Sequence, residues 1–437
     1  MNFEHFLTKK ILSARSHKNT ISAPIIKIGV FAISISMIVM LVALGVGFGM
    51  QKEIKKKIST IEGDITIQNF NNSVNADIIN PISPDESFIN ELNQFPRIKN
   101  IEKIISKFGI VRTKEDFDGI IFKGVESSFD FTQINKFLID GNIPSYNEKF
   151  SNNVLISNNL ANNLNLKIGD NFQMIFNREN KQPSIIKLNV NGIYSSGFDE
   201  LDSKYIYGDI KQLRRINRWK NNQVSSLEIY LNDDSFFNLN KFNKFILWIS
   251  RNMNIHDEKL TILNDIPTSE LIYINSPSDY DVISVEEKYF FIFEWIDLFD
   301  KNIIAILFIM TIVAALNIIS ILIVLILDRT NMIGILKVLG ATNFTLSKFF
   351  VYKSAYLISK GLFFGNLIGL LILFIQKNFK LISLDPKIYY VNSIPIDIEL
   401  SQVILLNLIV FILCILSILF PSLIVSNIKP KETIKFN

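Results

Sequence analysis

The sequence predicts an α-helical membrane protein with four transmembrane helices and a large α+β extracytoplasmic domain inserted between helices 1 and 2. Three observations lead there. Hydrophobic residues make up 49% of the chain and its mean hydropathy is +0.28, too apolar for an average soluble enzyme. Charged residues still reach 20%, too many for a chain that lies wholly in a bilayer. The apolar residues are gathered into four long runs, and residues 51–296, between the first and second, have the composition and length of a domain that buries its own core.

Residues 1–27 are basic, with Lys9, Lys10, Arg15, Lys18 and Lys27 against Glu4, and residues 28–50 follow without a charge, long enough to span. A cleaved signal peptide also begins this way, but its apolar core is usually about 7–15 residues and a cleavage site follows, whereas here the basic helical stretch QKEIKKKISTIE does. Gly45, Gly47 and Gly49 have no preceding strand and no GK[ST], so close helix packing is their expected use rather than phosphate binding.

Within 51–296, the stretches GDITIQNF, ISKFGIVRT, GIIFKGVE, NFQMIFN, IIKLNVNGIYSS and SSLEIYL read as strands bounded by turn residues. SNNLANNLNL and FNLNKFNKFILWISRNM read as helices. Asp199, Glu200 and Asp202 in SSGFDELDSKYIY resemble an acid/base cluster, yet no nucleophile or metal spacing accompanies them, and a turn between two strands is expected.

Residues 303–327, 355–376 and 400–426 supply the other spans, the last interrupted by Pro421, which should kink or end its helix. Lys360, near the start of the third, is expected to snorkel to the headgroups; an intramembrane ion pair is the sharper alternative. The Lys-rich start (1–27) and tail (427–437), set against the balanced loop 377–399, place both termini and residues 328–353 in the cytoplasm. The large domain then faces outside.

The polar stretch 328–353 is the piece that organises the rest. Ile333, Leu336 and Leu339 fall on one helical face, Gly340 stands at a helix end, and Thr342 or Asn343 can cap the next helix. It is expected to lie at the membrane surface and dock on something outside the bilayer, though an ordinary amphipathic connector has the same pattern.

Other function classes find little support. A net charge of +4, small and dispersed, gives no nucleic-acid footprint. Cys414 is the single cysteine, so no intramolecular disulfide forms, and His5, His17 and His256 are too scattered for a metal centre. No catalytic constellation and no GxxxxGK[ST] loop is present, so energy from a nucleotide must come through a separate protein.

The chain resembles the permeases of the FtsX/MacB-like (type VII) ABC transporter superfamily, and among them the lipoprotein-releasing Lol type. The resemblance rests on IGILKVLGAT (333–342), IFEWIDLFDKNI (292–303), LDPKIYYVNSIPIDI (384–398), FPSLIVSNIKPKETIKF (420–436) and NVLISNNLANNLNLKIGDNFQMIF (153–176). It implies a non-enzymatic subunit of the bacterial inner membrane with its large domain in the periplasm. No cofactor would sit in this chain; ATP and Mg would be held by a separate ABC ATPase dimer on the cytoplasmic side. It further implies a second permease, identical or related, membrane lipid at the transport path, a lipoprotein substrate and a periplasmic lipoprotein carrier. Carried over residue by residue, Ile333, Gly334, Leu336, Lys337, Leu339 and Gly340 would couple to the ATPase. Met40, Leu44, Phe48, Leu307 and Met310 would line a cavity for acyl chains. Met332 departs from the pattern, since relatives often carry an acid there; Asp328 lies one turn away. Two sister activities are alternatives: an FtsX-like subunit that switches a periplasmic cell-wall hydrolase without transport, and a MacB-like efflux permease.

Overall fold

The computed structural model describes residues 22–72, 79–113, 116–147, 150–178, 182–232, 268–385 and 389–422. The helix expected in FNLNKFNKFILWISRNM, most of the basic start and the tail 427–437 lie outside the described residues. The described chain divides into two compact units, one of residues 1–53, 294–384 and 393–437, the other of residues 54–293 and 385–392.

Among the described residues, four helices are long and apolar enough to cross a membrane, and most of their length lies in the first unit. The first spanning helix is Ser22–Glu62, the second Phe290–Asp328, the third Asn343–Phe379 and the fourth Leu400–Ser422, with Pro421 in the last described turn. Each of the first three outruns its apolar stretch, because the flanking polar residues keep good helix formers in register. Packing is close where side chains are small. A Cβ on Gly365 of the third helix would lie 2.6 Å from Met37 Cβ and 2.9 Å from the Ser34 carbonyl of the first. Gly49 presses on the carbonyl of Pro395 in the same way, the packing role expected of the early glycines. Asn366 and Asn407 exchange amide hydrogen bonds of 2.7 and 2.9 Å between the third and fourth helices. Lys360 is exposed, its Nζ 4.5 Å over the Tyr356 ring one turn back, whereas Lys353 is buried at the other end of the polar segment.

The second unit is built on a ten-stranded sheet ordered β10-β1-β9-β2-β3-β8-β5-β7-β4, with β6 against β2 and β7. The strands are β1 Ile65–Asn69, β2 Ile98–Arg112, β3 Phe117–Val125, β4 Leu138–Gly141, β5 Asn153–Ser157, β6 Asn171–Phe176, β7 Ser184–Tyr194, β8 Tyr205–Asp209, β9 Ser226–Leu231 and β10 Tyr280–Ser284. Pairing is antiparallel except for β3 with β8 and β5 with β7. Ile67, Ile105, Phe122, Val154, Met174, Leu188, Ile206 and Leu227 are among the side chains fully removed from water in the core. In SNNLANNLNL, the helix Asn158–Asn163 is capped by Ser157, whose Oγ accepts from Leu160 N at 3.2 Å.

The turn expected in SSGFDELDSKYIY is instead one turn of helix, Asp199–Asp202, leading into β8. Asp202 is buried and satisfied, accepting from Ser196 N at 3.0 Å, Ser196 Oγ at 2.6 Å and Ser195 Oγ at 3.2 Å. Burial pushes its carboxyl up against those bonds. It fastens a corner of the sheet.

The short segment 385–392, between the third and fourth spanning helices, belongs to this second unit. Tyr390 stacks on the buried Phe198 at 4.3 Å and 17°, and its carbonyl accepts from the buried Lys57 Nζ at 2.9 Å.

Candidate functional site

Residues 328–353 form a helix-turn-helix. The helix Thr330–Val338 follows the second spanning helix after Arg329, whose Nε lies 3.4 Å from Asp328 Oδ2. It ends at Gly340, which takes φ +93°, while Gly340 N donates to Lys337 O at 3.1 Å and Ala341 N to Leu336 O at 2.9 Å. That pair of bonds is the Schellman closure, and it needs a left-handed residue at this position. Thr342 then caps the third spanning helix, its Oγ1 accepting from Thr345 N at 3.2 Å.

The faces of this helix differ from the expected one. Ile333 and Gly334 are buried against the helix bundle, and Leu336 and Lys337 are half-buried. Partial desolvation lowers the Lys337 ammonium. Of the expected docking residues, only Leu339, 77% exposed, and Gly340 stand open. The open stripe is Ile335, Val338 and Leu339, at i, i+3 and i+4, extended across the turn by Phe344 with Lys348 Nζ 4.5 Å over its ring. Ile335, Val338 and Phe344 were not legible as surface, because the helix is apolar on both sides and only packing decides which side is covered.

The five expected cavity residues lie on the first two spanning helices at different depths. Met40 and Leu44 are buried within the bundle; Phe48, Leu307 and Met310 are half-buried against it. Thr311 Oγ1 approaches Met40 Sδ at 3.8 Å, tying the first and second helices together there. The exposed side chains of the second helix include Ile304, Phe308, Ile309, Ile312 and Leu316. An open apolar groove of about 430 Å³, lined by Leu367, Leu371, Phe374, Lys377 and Ile398 among others, contains none of the five.

Two family models match the chain. The FtsX-like permease C-terminal domain covers residues 304–430, which contain the helix-turn-helix, and the MacB-like periplasmic core domain covers residues 28–235. The chain joins a MacB-like periplasmic core domain to an FtsX-like permease domain. The chain is therefore a multi-pass membrane protein with its large domain in the periplasm.

Relatives extend over the whole length. The permease is 26% identical, over 88% of its chain and 90% of the relative, to the lipoprotein-releasing system transmembrane protein LolC of Buchnera aphidicola subsp. Schizaphis graminum. It is 22% identical, over 99% of both chains, to the lipoprotein-releasing system transmembrane protein LolE of Haemophilus influenzae. Among solved structures, the periplasmic region of MacB from Actinobacillus actinomycetemcomitans is 16% identical, covering 52% of this chain and 92% of its own, with a TM-score of 0.31. The extracellular domain of the ABC-type transporter YknZ from Gram-positive bacteria is 17% identical, covering 50% and 99%, with a TM-score of 0.29.

Proposed function

We propose that this permease is the transmembrane subunit of an ATP-driven complex in the bacterial inner membrane that lifts lipoproteins out of the bilayer for a periplasmic carrier. The observation that carries the reading is the open stripe Ile335, Val338, Leu339 and Phe344 on a helix otherwise packed against the bundle. Apolar side chains at that exposure on a short, tightly terminated helix suit a protein partner. A separate ABC ATPase supplies both the cover and the energy that this chain has no Walker A loop to harvest. The names borne by LolC and LolE relatives over nearly the full length support lipoprotein as cargo.

Removing an acyl chain from the bilayer costs about 0.8 kcal/mol per CH₂ exposed to water, so release calls for ATP and a shielded path. Two permeases, identical or related, would form that path between their first and second spans. On this surface the outward side chains Phe308 and Ile312 meet an acyl chain first, with Phe48, Leu307 and Met310 behind them. Met40 and Leu44 support the wall from within.

The test is co-purification from native membranes with Leu339→Glu beside wild type. Wild type should retain a soluble ATPase and acylated lipoproteins, and the variant should lose the ATPase. A cell-wall hydrolase in place of lipoproteins would favour the regulatory reading that the FtsX-like domain permits; small-molecule export without lipoproteins would favour the efflux reading that the MacB-like core permits.

A further inference from the structure

The open groove beside the third spanning helix takes no part in the docking stripe or in the expected acyl-chain path. Leu367, Leu371, Phe374 and Lys377 recur at i, i+4, i+7 and i+10, one stripe of the helix, and the three apolar members are all more than half exposed. Ile396 and Ile398, from the segment leading into the fourth spanning helix, supply the other wall. A volume of about 430 Å³ falls within the roughly 300–1,000 Å³ of ligand pockets.

Polar contacts hold that second wall in place. Gln376 is buried; its Nε2 donates to the carbonyls of Ile394 at 3.2 Å and Ile382 at 3.3 Å, and its Oε1 accepts from Ile382 N at 3.1 Å. Asp397 N donates to the Gly45 carbonyl at 3.0 Å, and the Asp397 carboxylate meets Lys52 Nζ at 2.9 Å. Ile396 and Ile398 flank Asp397, so these bonds fix the wall and leave its lining apolar. A chance furrow between lipid-facing side chains would need no buried, fully bonded amide behind it.

Lys377 stands at one end of the groove. It is the first charge after the uncharged stretch 361–376, which puts its ammonium at headgroup level. It is exposed and pairs with no carboxylate among the described residues; Asp397 is taken by Lys52, and Glu399 accepts from Ser401 Oγ at 3.1 Å. From Leu367 to Lys377 the helix rises about 15 Å, half of the roughly 30 Å hydrocarbon core and so the depth of one leaflet. A cation at the surface above an apolar track one leaflet deep matches an anionic headgroup above its acyl chain.

We infer that this groove binds one anionic phospholipid, with its phosphate on Lys377 Nζ and one acyl chain running past Phe374 and Leu371 toward Leu367. The first and second spanning helices contribute none of the lining, so the site holds a resident lipid and stands apart from any cargo path.

Photolabelling of the full chain in nanodiscs tests this. The discs are phosphatidylethanolamine, a zwitterion, with a minor share of phosphatidylglycerol carrying a diazirine on one acyl chain; a second set carries the same diazirine on phosphatidylethanolamine instead. Label mapped by peptide mass spectrometry should gather on Leu367, Leu371 and Phe374 over Leu408, a comparably open side chain of the fourth helix. The phosphatidylglycerol probe should label the groove about fivefold more than the phosphatidylethanolamine probe, the weight of one lysine facing an anionic headgroup. Lys377→Gln should erase that preference. Leu371→Trp, which fills the groove and keeps it apolar, should cut the label at Phe374 from both probes to less than about half. Equal label on the groove and Leu408 would mean surrounding bulk lipid only. Equal label from the two probes, or an undiminished preference in Lys377→Gln, would take the headgroup off Lys377, and crosslinks to a second protein in place of lipid would make the groove a subunit interface. Each of these outcomes overturns the inference.

Discussion

Glu102 and Glu228 are direct partners across β2 and β9, two buried carboxylates side by side in the periplasmic sheet. Lys123 answers only Glu228, at 2.7 Å; Glu102 has Asn100 Nδ2 at 2.5 Å and the Asp130 amide at 3.1 Å. Burial therefore pushes the Glu102 carboxyl up to about 7, with the charge of Glu228 adding to it against the two hydrogen bonds. A carboxyl raised on folding binds more protons in the folded state, so its stabilisation is complete below 4.5 and is lost as pH rises through about 7. The thermal midpoint of the periplasmic domain in the full chain should fall across that window, and Glu102→Gln should flatten the slope. A slope of equal size in the variant would show another group at work.

Lys123→Met should be more damaging than a surface lysine change, because it strands the buried Glu228 and removes the cap on the Ile61 carbonyl. Breaking a buried pair from one side costs about 3–5 kcal/mol. The double change Lys123→Met with Glu228→Leu should recover much of that loss in chemical denaturation, and a purely additive pair would speak against the coupling.

Gly340→Ala tests the turn without a steric complication, since nothing lies within 4 Å of where its Cβ would go. The cost is the left-handed backbone alone, about 1–2 kcal/mol. It should leave the melting of the periplasmic domain untouched while weakening retention of the ATPase, and Gly340→Asn should weaken it less.

Gly365→Ala forces the third spanning helix away from Met37 and the Ser34 carbonyl, an overpacking that costs about 1–3 kcal/mol. The midpoint in detergent should fall accordingly. Removing the opposing Cβ with Met37→Gly, measured against Met37→Gly alone, should return part of it, and no return would place the strain elsewhere.

Asn407→Leu removes the exchange with Asn366 while keeping an apolar surface, and should cost about 1 kcal/mol as read by unfolding in bilayers. A neutral result would mean that Asn366 satisfies itself through the Leu362 carbonyl, to which it already donates at 2.7 Å.

The four spans and the helix end at Gly340 were legible because each is a local signal: an uncharged run, a glycine after an apolar turn, a threonine before the next. The exposed stripe was half legible. Leu339 was anticipated, but Ile333 is covered by the bundle, and no local pattern distinguishes it from Ile335. Met40 and Leu44 went the same way, since apolar residues of a spanning helix face lipid, protein or cavity with equal ease. The meeting of Glu62 with Lys288 Nζ at 2.5 Å and Lys204 Nζ at 3.5 Å left no trace, because it depends on strand order that no short window contains. Strands β4, β5 and β10 were unread, being short, and β5 and β10 are followed at once by helix.

The segment 385–392 gives the periplasmic domain a timetable. Its Tyr390 ring covers Phe198 and its carbonyl receives Lys57, yet it is synthesised after the third spanning helix. The domain begun at residue 54 therefore lacks this piece until residues 385–392 have been made, after the third helix. An excised fragment of residues 54–293 would lose the Tyr390 ring that stacks on Phe198 and the carbonyl that receives Lys57.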